Sequence, residues 1–184
     1  MRANFHGLLC LGLLVVFPLA SCRKEEKVLV TEQRRLTIAD DELDSLLAVM
    51  PSEWRRLPAT QFRILNYRFG KDGEVFVGRS RGGVLPNVNR WLDQYGKPAL
   101  ETLDDLPKVS ILGQQGVLIT TSGDFKGGMG RPARQNAGLA GVIVGAGEQL
   151  LTVKMTGDAQ GVLAEQERLI QFCENLRIKG NKSE

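Results

Sequence analysis

Histidine is almost absent from this sequence, and its one copy, His6, lies in a stretch with the pattern of a cleaved leader. A mature chain without histidine excludes a Ser-His-Asp triad, a Cys-His pair and any metal site built on imidazole. The neighbouring carboxylates at 104–105 and 40–42 do not face each other on a helix or a strand, so neither group has the geometry of a glycosidase acid/base couple. We therefore expect no catalytic residue, no metal and no cofactor.

An excess of charge of one sign is also lacking. The 184 residues include 24 basic and 21 acidic ones, which gives a formal charge of +3. This balance is too even for the basic footprint of a nucleic-acid-binding protein, so we expect no nucleic-acid partner. With 42% hydrophobic and 24% charged residues, the composition is that of an ordinary soluble protein, and the length is typical of about one domain.

The first 21 residues have the three parts of a secretory signal peptide. Arg2 supplies a positive start, residues 7–20 form an apolar run of 14 residues broken only by Pro18, and small residues close it. This run is shorter than the roughly 20 residues that a membrane-spanning helix needs, which makes an uncleaved anchor the weaker interpretation.

The end of this leader matches the lipobox of bacterial lipoproteins. Leu19, Ala20 and Ser21 supply the aliphatic and small residues of the recognition signal, and Cys22 follows them. The motif predicts that Cys22 becomes the first residue of the mature chain and carries lipid, with two or three acyl chains for firm anchoring. An ordinary cleaved signal peptide followed by a chance cysteine is the alternative. We expect lipid anchoring in the cell membrane or outer membrane, facing the periplasm or the exterior. Arg23 rather than aspartate follows the cysteine, which favours the outer membrane where the cell has one.

Cysteine is scarce as well, with only Cys10, Cys22 and Cys173. Because Cys10 lies in the leader and Cys22 is the predicted lipidation site, Cys173 has no partner for an intrachain disulfide. Cys173 shares the apolar stripe of a predicted helix with Val162 and Leu169. We therefore expect a buried, structural thiol rather than a nucleophile.

Periodicity predicts an α+β domain in which helices cover an antiparallel sheet. The predicted elements are a helix at 40–50, a hairpin of strands at 61–69 and 74–80, a helix from Pro86 to Tyr95, strands at 109–112, 117–121, 138–144 and 149–155, and a helix at 158–177 capped by Asp158. The predicted boundaries are a signal peptide at 1–21, a tether at 22–36, one domain at 37–178 and a polar tail at 179–184.

Three stretches of the domain carry a resemblance to a known family. They are residues 50–54 (Met-Pro-Ser-Glu-Trp), residues 82–91 (Gly-Gly-Val-Leu-Pro-Asn-Val-Asn-Arg-Trp) and residues 155–158 (Met-Thr-Gly-Asp). Together they resemble an uncharacterised family of exported bacterial lipoproteins of the planctomycete and verrucomicrobial type. In layout this family is similar to the PsbP-like α/β/α sandwich, which hosts non-enzymatic binding and assembly proteins. The resemblance therefore implies a scaffold rather than an activity.

Asn87, Asn89 and Arg90 on the second predicted helix are the best candidates for a binding face. One interpretation is a polar patch for a partner or a glycan. The other is structural: the asparagine amides hydrogen-bond the preceding loop at 82–83 while Trp91 anchors the helix in the core. The connection at 123–136 is glycine-rich but lacks the Gly-Lys-Ser/Thr core of a phosphate loop, so a flexible, basic hairpin loop is expected there.

These features favour a lipid-anchored, non-enzymatic envelope protein. Its expected partners are the membrane, through the anchor, and an envelope protein with which it assembles. The alternative is a small-ligand or cell-wall glycan-binding module, with the 123–136 loop and the Asn87, Asn89 and Arg90 face at the rim of a pocket. A concave apolar pocket with a few convergent polar groups favours the second function, whereas a flat exposed patch favours the first.

Overall fold

The computed structural model of the chain describes residues 45–128, 132–146 and 149–179. The strands are β1 (Leu46–Leu47), β2 (Arg55–Leu57), β3 (Leu65–Phe69), β4 (Gly73–Ser80), β5 (Lys108–Ile111), β6 (Gln114–Phe125), β7 (Arg134–Ala146), β8 (Gln149–Asp158) and β9 (Arg177–Ile178), and the helices are α1 (Val84–Asp93) and α2 (Ala159–Glu174). Seven strands form one sheet in the order β2-β3-β4-β8-β7-β6-β5, with every neighbouring pair antiparallel. The predicted α+β class is confirmed.

The two helices cover opposite faces of this sheet, because side chains alternate in direction along a strand. On β7, Ala140 and Val142 belong to a core cluster with α2, whereas Leu139 and Ile143 belong to a second cluster with α1. We call these the α2 face and the α1 face. The α/β/α layering expected from the resemblance is therefore observed, with the larger core under α2.

Three aromatic side chains of the α2 core, Trp54, Tyr67 and Phe172, come from separate parts of the chain. The ring of Trp54 lies 5.2 Å from that of Phe172 and 5.9 Å from that of Tyr67. The Nε1 of Trp54 also donates a hydrogen bond to Glu165 Oε2 at 2.8 Å. Because burying an aromatic ring removes a large apolar area from water, this group ties the segment before β2 to α2 and β3.

Helix α1 is seated on the sheet through one close approach. The Trp91 ring lies over Gly141 of β7, where a Cβ atom would meet the ring at 2.4 Å. The Nζ atom of Lys154 stands 4.8 Å from the centroid of the Trp91 ring on the same face. The second core draws its sheet residues from the middle of β6, from β7 and from one residue of β8. Within the described residues, the α1 face of β2, β3 and β4 therefore carries no helix.

The predicted hairpin and the predicted cap of the last helix are confirmed, and the predicted loop at 123–136 is shorter in the structure. Leu65, Tyr67 and Phe69 are buried on one face of β3, as the alternation predicts, and the β3–β4 pair is a hairpin. Asp158 caps α2 by accepting a hydrogen bond from the backbone N–H of Gln160 at 2.8 Å. Strand β6 ends at Phe125 and strand β7 begins at Arg134, so the connection between them is shorter than the predicted 123–136 loop.

The predicted helix at 40–50 is wrong over its described part. Leu46 and Leu47 form strand β1, which pairs with Ile178 and Arg177 of β9, and Pro51 begins a turn that is closed by a hydrogen bond from the Trp54 N–H to its carbonyl oxygen. The leucine spacing is helical, but a strand partner more than 100 residues away supplies backbone hydrogen bonds that a local pattern does not reveal. The last helix also ends at Glu174, before the predicted end at 177, since the chain turns there into β9.

The contact between Trp91 and Gly141 is testable by substitution. We expect Gly141→Ala to lower the free energy of unfolding by about 1–3 kcal/mol, because the added methyl overlaps a packed ring. Gly145→Ala on the same strand is the matched control, since a Cβ there meets nothing within 4 Å. Trp91→Ala should itself cost about 3–5 kcal/mol, and the Gly141→Ala penalty should shrink in that background. Urea unfolding of the single and double variants measures these terms, and strict additivity would contradict the contact.

Candidate functional site

The predicted lipidation signal lies outside the described residues. Leu19, Ala20, Ser21 and Cys22 all precede residue 45, where the description begins. Among the described residues, no helix is both long and apolar enough to cross a bilayer. Anchoring through Cys22 therefore stays a prediction from the sequence.

Asn87 serves the loop that precedes α1. It is 5% exposed, and its Nδ2 atom donates to the carbonyl oxygens of Arg81 at 3.0 Å and Gly83 at 2.9 Å. Its Oδ1 atom accepts a hydrogen bond from Arg90 at 2.6 Å. Gly83 at the N-terminus of α1 makes no side-chain cap hydrogen bond, and the Asn87 amide instead fixes the loop before the helix by donating to its carbonyl oxygens. This is the structural role that the sequence offered as its second interpretation.

Asn89 serves a different segment from the one predicted. Its Nδ2 atom donates to the carbonyl oxygen of Leu100 at 2.9 Å, and its Oδ1 atom accepts from the Leu100 N–H at 2.8 Å. The Asn89 side chain thus pairs with both backbone polar groups of Leu100, as a neighbouring strand would. These hydrogen bonds do not include the 82–83 loop. Of the three predicted residues, only Arg90 is exposed. A binding role for this face stays a prediction, with Arg90 as its accessible member.

The described ends of the 123–136 connection are tied down by ion pairs. Lys126 Nζ lies 3.1 Å from Asp93 Oδ1, and Arg134 lies 2.8 Å from Asp72 Oδ2. The backbone N–H of Lys126 also donates to the carbonyl oxygen of Gln94 at 2.8 Å. Two of the cations that make this loop basic in the sequence therefore have carboxylate partners, and residues 129–131 lie outside the description.

Cys173 lies in the α2 core and is completely buried. Burial disfavours the thiolate and raises the pKa of this thiol, and the neighbouring Glu174 carboxylate raises that pKa further. A thiolate is the reactive form of cysteine, so the group is unreactive in the folded protein, as predicted. Among the described residues, no group of three or more metal-ligating side chains comes together.

The surface of the described residues includes two shallow grooves among others. One has a volume of about 240 Å³ and lies between residues 49–53 and α2, where Glu53 pairs with Arg168 at 3.5 Å. The other has a volume of about 290 Å³ and lies beside residues 59–64 and Arg79. Neither groove includes a residue of the predicted Asn87, Asn89 and Arg90 face or of the 123–136 loop.

A group of arginines that no sequence motif had singled out lies on the part of the α1 face that carries no described helix. Arg55 and Arg68 are paired directly across β2 and β3, and Glu74 of β4 lies next in the same row. The Oε2 atom of Glu74 lies 3.2 Å from the Arg63 guanidinium, and its Oε1 atom lies 3.6 Å from the Arg68 guanidinium, so one carboxylate pairs with two arginines. We call Arg55, Arg63 and Arg68 the arginine face. A signal was available, because residues 54–71 include five basic and no acidic residues.

Comparison with known proteins adds a fold-level likeness. No family model matches the chain, and no curated protein matches it. Three solved structures are similar: a protein of Bacteroides thetaiotaomicron (10% identity, TM-score 0.45, 74% of this chain and 46% of that one), LpqN of Mycobacterium tuberculosis, described as involved in cell envelope biogenesis (11%, 0.45, 72% and 82%), and PsbP of the cyanobacterium Synechocystis (11%, 0.41, 73% and 87%). The chain spans less than half the length of the Bacteroides protein. The family resemblance stays a prediction.

Asn89 and Arg90 separate the structural role of α1 from a binding role. Asn89→Ala should lower the free energy of unfolding by about 1–3 kcal/mol, because it leaves two backbone groups of Leu100 without their partner. Arg90→Ala should cost less, about 0.5–1.5 kcal/mol, because it removes one hydrogen bond, to Asn87 Oδ1, made by an exposed side chain. Thermal unfolding of both variants checks this. Wild-type stability in Asn89→Ala would contradict the structural role.

The raised pKa of Cys173 has a consequence at alkaline pH. The unfolded thiol ionises above about pH 8.5 while the folded one keeps its proton, so the unfolded state binds fewer protons and stability falls as pH rises from there. Tyr67, whose pKa burial also raises, contributes only above about pH 10. Urea unfolding between these limits should show a decline that Cys173→Ala removes. An equal decline in Cys173→Ala, or rapid native-state labelling of the thiol, would contradict burial of the protonated form.

Proposed function

We propose that the chain is a lipid-anchored protein of the bacterial envelope and that its α+β domain binds or helps assemble other envelope components without catalysing a reaction. The observation that carries the proposal is the Leu-Ala-Ser-Cys sequence at 19–22 behind an apolar run of 14 residues. A signal of this kind directs export and places acyl chains on the cysteine.

The shape of the domain supports contact with a large partner more than enclosure of a small ligand. Pockets that hold small molecules usually measure about 300–1,000 Å³ and surround most of the ligand. Both grooves, at about 240 and 290 Å³, lie near the lower limit of that range and are open to solvent instead of enclosed. The glycan- or ligand-binding alternative therefore has less support from the geometry.

The chemistry of the candidate residues supports a non-enzymatic role in the same way. The buried thiol of Cys173 is held in its unreactive form by its surroundings. The amides of Asn87 and Asn89 are used in hydrogen bonds that shape the ends of α1. These groups stabilise the domain, which leaves its exposed charged surfaces as the places where partners bind.

Lipidation is tested by substituting the predicted acceptor. Cys22→Ser should abolish incorporation of labelled palmitate in a bacterial host and should release the protein from the membrane fraction or leave the leader uncleaved. The physical reason is that no other thiol occupies the position after the cleavage motif. Cys10→Ser is the matched control, because it removes a thiol from the leader and leaves the motif intact.

Mass spectrometry of the purified protein gives the second readout. We expect a mature N-terminus at Cys22 with the mass of a diacylglyceryl group. An unmodified N-terminus at Cys22, or palmitate labelling that persists in Cys22→Ser, would overturn the proposal.

A further inference from the structure

Charge is segregated within the described residues. Residues 54–83, which build β2, β3 and β4, include seven basic and two acidic residues, whereas the remaining described residues include nine basic and ten acidic ones. The near-neutral total therefore hides one cationic end of the sheet. That end coincides with the half of the α1 face that no described helix covers.

The arginine face keeps unbalanced charge at this end. Arg55 and Arg68 stand opposite each other on neighbouring strands, an arrangement that destabilises a sheet unless an anion lies nearby. Glu74 is shared by Arg63 and Arg68. Arg55 is exposed and forms no ion pair with a described residue. The cluster of three arginines and one glutamate thus carries a net positive charge that an external anion can neutralise.

A hydrogen-bonded turn that includes Arg63 carries an exposed apolar side chain. Thr60 and Arg63 exchange two backbone hydrogen bonds of 3.0 and 3.1 Å, which places Phe62 in the two-residue tip between them. Phe62 is 77% exposed. Its carbonyl oxygen packs on Gly78 of β4, where a Cβ would lie 2.7 Å away, so the turn rests directly on the α1 face of the sheet.

The base of the turn is also held in place. Asn66 is 5% exposed, and its side chain donates to the carbonyl oxygen of Pro58 at 3.3 Å and accepts from Arg63 at 3.0 Å. The Arg63 guanidinium stacks on the Phe76 ring at 4.4 Å. Phe62 is therefore an exposed residue of a turn that hydrogen bonds of Asn66 and the contact between Arg63 and Phe76 hold against β3 and β4, the strands that carry Arg68 and Glu74.

We propose that this surface, formed by Phe62 and the arginine face, docks the domain on a bilayer that contains anionic lipids. The phosphates of the headgroups neutralise the guanidinium groups, and the ring of Phe62 enters the boundary between headgroups and acyl chains. A bilayer supplies anions and an apolar layer side by side, which matches the two kinds of group that this surface presents. An acidic soluble macromolecule supplies only the first.

The inference rests on the proposed function, because the anchor keeps the domain close to the bilayer. Cys22 precedes the first described residue by 23 positions, so the chain between them spans at most about 80 Å even when fully extended. Confinement to such a distance raises the effective concentration of the surface, and contacts that are weak one by one then suffice for docking.

Vesicle binding by the unlipidated chain tests the docking apart from the anchor. Both core clusters lie within residues 46–178, so a chain that begins at residue 22 and carries Cys22→Ser keeps the whole core. It is sedimented with vesicles of mixed phosphatidylglycerol and phosphatidylcholine and with vesicles of phosphatidylcholine alone. We expect binding to the anionic vesicles that falls as salt rises.

Substitutions assign the binding to this surface. Arg55→Gln and Arg68→Gln should each weaken binding to the anionic vesicles about fivefold, and Phe62→Ser should weaken it about tenfold. The charge control is Lys97→Gln with Lys108→Gln, which removes two cations, Lys108 being on the opposite edge strand β5. The apolar control is Leu163→Ser, which removes a 61% exposed side chain from α2 on the other face. All these variants share the same residues 22–44, including Cys22→Ser.

Fluorescence supplies a readout that does not depend on losing affinity. Trp54 and Trp91 are 3% and 4% exposed, so their emission should not respond to vesicles. In Phe62→Trp, the new indole should shift its emission to the blue on anionic vesicles only. An acidic soluble polymer should leave the emission of Phe62→Trp unshifted, because it offers the indole no apolar layer to enter.

Three results would overturn the proposal. They are equal binding to the two kinds of vesicle, losses in the control variants as large as those in the surface variants, and binding to polyglutamate without binding to vesicles, which would assign the surface to an acidic macromolecule. None of them bears on palmitate labelling at Cys22, so failure of the docking and failure of the anchoring are distinguishable.

Discussion

The seat of α1 on β7 is the constraint on which the rest of this domain depends. Trp91 reaches the sheet only because Gly141 has no side chain, and this close approach fixes a helix of ten residues over one half of the face. Among the described residues, a helix placed there leaves β2, β3 and β4 without a helix on that face. The same packing therefore creates both the smaller core and the exposed arginine face.

The α2 face has a different balance of burial. There a helix of 16 residues, the aromatic group of Trp54, Tyr67 and Phe172, and the inward side chains of most strands form one continuous core. Since apolar burial is the main favourable term in folding, this face holds most of the stability. The α1 face can then expose polar and cationic groups such as Arg55 and Arg68.

Polar side chains on the α1 side act mainly on the backbone. Asn87 hydrogen-bonds the carbonyl oxygen of Gly83 before α1, and Asn89 hydrogen-bonds Leu100 after it. Asn66 hydrogen-bonds Pro58 and the Arg63 side chain on either side of Phe62. A buried amide is stable only when its donors and acceptors are paired, so each asparagine fixes a loop in one conformation. The turn with Phe62 and the entry of α1 are thereby rigid parts of the surface.

Local signals in the sequence determined the class of the fold, the β3–β4 hairpin, the cap of α2 at Asp158 and the burial of Cys173, because alternation, capping residues and helical stripes act between near neighbours in the chain. The lipobox is also readable only as sequence. Tertiary structure alone decided that Leu46 and Leu47 pair with a strand far along the chain, that Asn89 bonds to Leu100, and that the turn carrying Phe62 rests on the face of the sheet where Arg68 meets Glu74. Each of these outcomes depends on which strands become neighbours and where α1 comes to rest, and those choices are made by packing between residues that are distant in the chain.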